Sequence, residues 1–255
     1  MRDNPNNFNN VNSSAAGVAH VTNVAVCYEA IERMLTRHPS LPGIGVFYGR
    51  SGDGKSVAAC YIANKTRAYY VQATSICTKK SFLESVLREM TIPAAKTANE
   101  MLGQIAEELS KSGRPLIIDE FDHLATGQKI EMIRDIYESS QGTILVIGEE
   151  MLPKKLERWE RFHGRVHSWV PAQPATVSDA AQLAAIYAPK VTIEDQVLEQ
   201  LIRAVRGSTR RTCTNLEMLG QRALECGIRS VTIADIEQLL PQGFITGQSP
   251  KPRSF

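Results

Sequence analysis

One octapeptide constrains this chain more than anything else in it: Gly49-Arg50-Ser51-Gly52-Asp53-Gly54-Lys55-Ser56. It fits G-x-x-x-x-G-K-[ST] in full. It follows the apolar run Ile44–Tyr48 and precedes a helical pattern over Val57–Thr66. A strand that turns on glycines into a helix aims successive amide N–H groups into one concavity, with the positive end of the helix behind them. Such a loop cradles phosphates, and the strand–loop–helix context makes the motif specific. In that frame Lys55 reaches the outer phosphates of a nucleotide and the Ser56 hydroxyl ligates magnesium. Val57, at the start of the helical stretch, joins Gly49–Ser56 in the expected binding set.

The rest of the chain has the alternation such a loop requires. Val21–Leu35 carries Val24, Cys27, Tyr28, Ile31, Met34 and Leu35 at helical spacing. Strands are expected over Ile44–Tyr48, Ala68–Ala73, Pro115–Ile118 and Thr143–Ile147. Helices are expected over Val57–Thr66, Lys79–Met90, Ala98–Ser110 and Lys129–Ser139. This order predicts a parallel sheet covered on both faces. After Pro171-Ala-Gln-Pro174 the pattern changes to helical stretches alone: Ser178–Ala188, Ile193–Val205, Cys213–Cys226 and Ile233–Leu240. Thr192 with Asp195, and Thr232 with Asp235, have the spacing of an N-cap and an acidic third residue. The expected organisation is an Asn-rich flexible tail over 1–19, an α/β domain over 20–173, a small all-helical lid over 174–240 and a flexible carboxyl tail over 241–255.

At 255 residues there is enough chain for this core. The charge balance, 29 basic against 27 acidic residues for a net +2, does not by itself announce nucleic acid, so any such contact must come from a local patch. The five cysteines lack the spacing of a zinc or thiol-redox motif and read as free thiols. No apolar run is long enough to span a bilayer, and no signal-peptide pattern opens the chain, so a cytoplasmic protein without a membrane partner is expected.

A second motif completes the chemistry. Leu116-Ile-Ile-Asp119-Glu120 is a buried strand ending in two carboxylates, an expensive arrangement unless they work. Asp119 is expected to hold magnesium through a water, and Glu120 to polarise the water that attacks the terminal phosphate. Together with the phosphate loop this predicts ATP hydrolysis. The fourth strand runs into Gly148-Glu149-Glu150, whose acidic residues suit direct phosphate contact poorly. The basic run Lys154–Arg165 reads mostly as a solvated helix face. Arg161 and Arg165, at its end, are candidates to reach the phosphate of a neighbouring subunit. Arg210, in Gly207-Ser-Thr-Arg-Arg211, opens a lid helix and is a candidate to reach back to the nucleotide. His123, His163 and His167 lack a third ligand at metal spacing and read as structural.

Taken together, these residues resemble the AAA+ superfamily, and within it the ATPases that assist DNA transposition, of the phage Mu B type. The marks are Ile118-Asp-Glu-Phe-Asp-His-Leu124, Ile133-Arg-Asp-Ile136, Val146-Ile-Gly-Glu149 and Arg161-Phe-His-Gly-Arg-Val166 followed by Trp169-Val. The resemblance covers roughly residues 20–240. It implies ATP and magnesium as cofactors, assembly into a filament on double-stranded DNA, and delivery of target DNA to a transposase. It also implies a basic contact with the duplex after the second strand, here Lys79 and Lys80 within Thr78–Ser81, whose hydroxyls and helix start suit phosphate and whose contacts carry no base code. The Mu protein has an additional helix-turn-helix region, whereas this sequence opens with the Asn-rich stretch. Two rival readings are a secretion-associated AAA+ ATPase, which is expected to bring a membrane segment and a wall-binding domain, and a nucleotide-gated binding module with little hydrolysis. A small-molecule kinase is disfavoured by the lid and by an arginine placed to act across subunits. A phage-encoded protein of this kind would work in the host cytoplasm.

Overall fold

The computed structural model describes residues 21–247; the expected tail over 1–19 and residues 248–255 lie outside them. The first element of the described residues is α1 (Thr22–Leu35), whose buried positions Val24, Cys27, Ile31 and Met34 belong to the apolar stripe read from the sequence. β1 (Ile44–Gly49) leads through the glycine loop into α2 (Lys55–Thr66), and β2 (Tyr69–Gln72) follows. Next come α3 (Lys79–Glu89), α4 (Ala98–Ser112), β3 (Leu116–Asp119), α5 (Gly127–Ser140) and β4 (Ile144–Glu149). Two short helices, α6 (Leu152–Glu157) and α7 (Glu160–His163), precede β5 (Val166–Pro171).

The five strands form one parallel sheet in the order β2-β3-β4-β1-β5. Its pleat divides the core. Ile44 and Val46 of β1, Leu116 and Ile118 of β3, and Ile144 and Val146 of β4 face α3, α4 and α5. Phe47, Ile117, Leu145 and Ile147 face α1 and α2. This period of two on strands covered on both faces is what a parallel sheet demands. All five carboxyl ends emerge along one edge, where ligand sites of open α/β sheets collect.

The remaining elements are α8 (Val177–Tyr187), β6 (Thr192–Ile193), α9 (Asp195–Val205), α10 (Thr209–Glu225), β7 (Ser230–Val231) and α11 (Ile236–Leu239). They enclose a second core around Leu198, Leu201, Leu216, Leu219 and Val231.

Several expectations change here. The helical region also holds a two-stranded parallel ribbon, β6 with β7. Thr192 therefore belongs to a strand, and the residue preceding α9 is Glu194, with no side-chain cap. Thr232 and Asp235 do form a reciprocal capping box, ahead of a 3-10 turn rather than an α-helix. A fifth strand, β5, joins the four expected. The basic run is not one helix: it breaks at Arg158-Trp159 between α6 and α7. Within the expected carboxyl tail, the backbone of Ile245 exchanges hydrogen bonds of 2.8 and 3.0 Å with the Asn215 side chain.

Candidate nucleotide site

A cleft of about 350 Å³ lies at the carboxyl edge of the sheet, between the glycine loop and the amino half of α10. Ser51, Gly52, Gly54, Lys55, Ser56 and Val57 form one wall and Asp119, Glu120, Gly148 and Glu149 the floor. Arg210 lies on the opposite wall.

The loop is shaped by residues that tolerate left-handed backbone. Gly52 has φ +90° and Gly54 φ +83°. A Cβ on Gly52 would also sit 2.9 Å from the Ser208 Oγ, a contact that rotation of that side chain can relieve, so the left-handed φ is what calls for glycine here. Ala58 donates to the Gly54 carbonyl at 3.0 Å, which makes the amides of Lys55, Ser56 and Val57 the unpaired first turn of α2. Those amides and the helix dipole face the cleft and suit an anion.

The Lys55 ammonium donates to the carbonyls of Gly49 and Arg50, both at 2.9 Å, and so lies folded across the loop. Burial draws it below its ordinary pKa, against the pull of Asp53, Asp119, Glu120 and Glu149. Asp53 is buried beneath the loop, where its carboxylate accepts the Arg50 amide at 3.1 Å. Burial raises its carboxyl, and Arg50 and Lys55 hold it down. Arg50 itself sends its guanidinium to the Arg206 carbonyl at 3.1 Å.

Asp119 ends β3 and is almost fully buried, at 2% exposure. Its Oδ1 accepts the Glu120 amide at 2.8 Å, and its Oδ2 accepts the Tyr70 hydroxyl at 2.7 Å. Burial, and after it the Asp119 charge, pushes the Tyr70 hydroxyl far up, so it stays a donor. Glu120 follows with φ 53° and ψ 40°. Among the described residues the other four non-glycine positions with positive φ, Arg67, Thr91, Gln141 and Arg206, all lie at the carboxyl ends of helices, where this conformation is routine. Glu120 lies between a strand and a 3-10 turn, so its strained backbone belongs to the site.

The donor set fits magnesium. A hydroxyl and a carboxylate are hard oxygen ligands, and this ion is commonly held by one or two carboxylates together with substrate phosphates. Ser56 and Asp119 would hold it, and when bound it neutralises charge developing on the phosphates.

Glu149 caps β4 opposite Gly49 in the β1–β4 register. Its amide donates to Asp122 Oδ2 at 2.7 Å, and Asp122 Oδ1 accepts from Lys155 at 2.5 Å. Asp122 thus ties the floor of the cleft to α6. The arginines separate. Arg210 is at the cleft, and its amide donates to the Gly52 carbonyl at 3.0 Å. Arg165 is at the other edge of the sheet, where its carbonyl accepts the Ile44 amide at 3.2 Å. The six residues of β1 separate that point from the loop, about 20 Å of strand. There Arg165 pairs with Glu138 at 3.0 Å. Arg161 is exposed on α7, also away from the cleft. Lys79 and Lys80 are exposed at the start of α3, where Lys79 donates to Gln128 at 2.9 Å and Lys80 lies 4.0 Å from Glu84. The Thr78 and Ser81 hydroxyls are engaged with each other in a capping box, so their expected role as phosphate contacts reduces to that of the lysines and the first amides.

The far end of the cleft, lined by Tyr187, Cys213, Thr214 and Glu217, had no motif to announce it. One weak signal existed: positions 210, 213–214 and 217 share a helix face, spaced as one stripe of α10.

Residues 37–156, which carry the loop and both carboxylates, match the family described as AAA domain. That match covers 120 of the 255 residues of the chain. The fold of the chain is shared with several solved proteins. The *Aeropyrum pernix* ORC2 protein in its ADP form superposes with a TM-score of 0.64 at 17% identity, over 86% of this chain and 66% of that one. Cdc6p from *Pyrobaculum aerophilum* gives 0.61 at 14%, over 87% and 66%. The *A. pernix* ORC1 protein in complex with DNA gives 0.59 at 16%, over 89% and 66%. Among curated proteins, cell division protein C of *Sulfolobus acidocaldarius* is 23% identical over 197 residues, 68% of this chain and 50% of that protein. The chain thus spans half the length of that relative and 66% of each of those solved chains. Among the described residues no helix is long and apolar enough to cross a membrane.

Proposed function

We propose that this chain binds and hydrolyses ATP with magnesium and uses the cycle to assemble on, and leave, double-stranded DNA. The observation that carries the reading is the convergence in one cleft of the phosphate loop, Ser56 with Asp119, and Glu120 held in a strained backbone. Lys55 and the loop amides bind the phosphates. Glu120, at the mouth of a low-dielectric floor, orients the attacking water and takes up its proton. Arg210 approaches from α10, so nucleotide in the cleft contacts both cores.

The duplex is proposed to meet Lys79 and Lys80, exposed beside the helix start of α3. An ORC protein of the same fold was solved in complex with DNA, which supports DNA as the partner class. Delivery of that DNA to a transposase, in a filament of the Mu B type, rests on the sequence marks around Asp119–Leu124 and Arg161–Val166. Arg165 is proposed as the finger that completes a neighbour's site. The lid, residues 174–240, is proposed to move against the α/β domain, 20–173, during the cycle.

The test is hydrolysis by purified protein with and without duplex DNA, alongside electron micrographs of ATP-loaded samples. Glu120→Gln should bind ATP and lose turnover, while Lys55→Ala should lose binding as well. Wild-type turnover by Glu120→Gln would overturn the assignment of roles. ATP-dependent filaments that form equally without duplex would overturn the DNA reading and leave the hydrolase.

A further inference from the structure

We propose that Tyr70 is a positioning residue for magnesium: its hydroxyl fixes the Asp119 carboxylate in the orientation that receives the ion, a role that rests on the nucleotide-site reading above. Tyr70 lies on β2, in the strand that neighbours β3 at the sheet edge. The register pairs Tyr70 with Ile117 and Gln72 with Asp119, so Tyr70 reaches along β3 to the last residue of that strand. The hydrogen bond is 2.7 Å, a charge-assisted length, between residues 49 apart in sequence.

The geometry gives the bond a specific task. A carboxylate at a strand end can rotate about χ2, and terminal torsions of this kind are broad. In Asp119 both oxygens are restrained: Oδ1 by the Glu120 amide and Oδ2 by Tyr70. A carboxylate offers about four lone-pair directions, so two remain after these bonds. They lie in a plane that the two donors define. The amide alone restrains one oxygen; the hydroxyl converts that restraint into a fixed plane. Outer partners of this kind orient metal ligands generally, and their loss weakens metal binding.

α2 supports the same layer. Ser56 and Cys60 are one helical turn apart on α2. The Cys60 side chain lies close enough to the Tyr70 hydroxyl for the two to interact electrostatically. The helix that brings the magnesium hydroxyl therefore also packs against the tyrosine that holds the magnesium carboxylate. Tyr69, its neighbour in sequence, faces the other way: its hydroxyl donates to Glu108 at 2.6 Å, on α4. The two adjacent tyrosines form a built-in comparison, each with one carboxylate partner and only one of them at the site.

The experiment compares Tyr70→Phe with Tyr69→Phe and wild type. Binding of a fluorescent ATP analogue is measured first in excess EDTA and then across a magnesium titration, with thermal melts of each protein without nucleotide. Tyr70→Phe removes one oxygen and no packing. It should leave affinity in EDTA unchanged and move the magnesium midpoint upward roughly tenfold, the scale of a hydrogen bond to a charged group. Saturating magnesium should restore wild-type affinity. Tyr69→Phe should melt lower, with its magnesium midpoint unmoved. A Tyr70→Phe titration that superimposes on wild type overturns the proposal, as does a loss of affinity equal with and without magnesium, which would make Tyr70 a packing residue. Wild-type protein that binds nucleotide with no response to magnesium overturns this proposal and the magnesium assignment together, whereas a wild-type response with no Tyr70→Phe shift overturns this proposal alone.

Discussion

The backbone of Glu120 makes a prediction that separates folding from chemistry. At φ 53° and ψ 40° its Cβ crowds the following carbonyl, a strain of roughly 1–2 kcal/mol for a non-glycine residue. Consider Glu120→Gly and Glu120→Ala side by side. Both remove the carboxylate, so the charge effects of Asp119, Glu149 and Lys55 cancel between them. The difference is one Cβ at a left-handed position, set against the larger unfolded-state entropy of glycine, roughly 0.5–1 kcal/mol. Glycine should therefore be the more stable of the two by about 0.5–1 kcal/mol, which corresponds to roughly 1–4 °C in Tm for a chain of this size. Both should be inactive in ATP turnover. The same pair at Glu107, exposed on α4, should show the opposite order, with alanine ahead by about 1 kcal/mol. The assay is urea and thermal unfolding of the four variants, with hydrolysis measured in parallel. If Glu120→Ala is as stable as Glu120→Gly, the left-handed backbone is not maintained in solution, and the argument from strain to function fails.

Arg165→Ala should leave each subunit able to bind ATP and cut turnover of the assembly by at least a hundredfold, toward the roughly 10³–10⁵ scale of arginine fingers. Mixing it with Lys55→Ala subunits should restore part of the activity, measured as turnover against mixing ratio; no recovery at any ratio would remove the finger in trans. The Arg165–Glu138 pair is no obstacle, since exposed pairs of this kind are worth about 0–1 kcal/mol. Lys79→Ala with Lys80→Ala should weaken ATP-dependent duplex binding and flatten its log–log salt slope by about 2, if each lysine neutralises one phosphate. Fluorescence anisotropy of a labelled duplex across a salt series reads this, and an unchanged slope would take both residues out of the DNA path.

What the sequence disclosed, and what it withheld, follows from the range of the interactions. The phosphate loop and the acid pair are local patterns, and the core strands β1, β3 and β4 advertise themselves as short apolar runs because both their faces are covered. β5 was missed because it is an edge strand: Val166-His-Ser-Trp-Val170 is only partly buried and mixes polar with apolar residues. β6 and β7 are two residues each, below the length at which periodicity exists. The break between α6 and α7 has no proline or glycine to announce it. The supporting residues were invisible for a different reason. Tyr70 reads as an ordinary strand residue until β2 is placed beside β3. Asn23 reads as a polar residue in an amphipathic helix, yet it is 3% exposed and its partners are 30 and 150 residues away.

That asparagine helps explain how a nucleotide in the cleft can be felt elsewhere. Its Nδ2 donates to the Asp53 carbonyl at 2.7 Å and to the Gln173 carbonyl at 2.8 Å, while its Oδ1 accepts the Gln173 amide at 2.7 Å. Three nearby loop positions are thus held by three different elements: Arg50 by the turn after α9, Gly52 by the amide of Arg210 on α10, and Asp53 by α1. The linker between the two cores is held in turn, because the Ala175 amide donates to Gly207 at 2.8 Å and a Cβ on Gly207 would meet the Pro174 ring at 2.6 Å. Beside Asn23, Thr22 donates to the buried Asp179 of α8 through its amide at 2.7 Å and through its hydroxyl. A shift of the loop large enough to break the buried Asn23–Asp53 bond would leave a buried polar group unpaired at about 1–3 kcal/mol, which couples the loop to its partners. The loop, the linker, the start of α1 and the start of α10 therefore form one coupled unit, and the proposed movement of the lid against the α/β domain has to pass through its bonds. Arg165, at the far edge of the sheet, lies outside that unit, so a response of Arg165 to nucleotide would have to pass through the sheet or come from a neighbouring subunit.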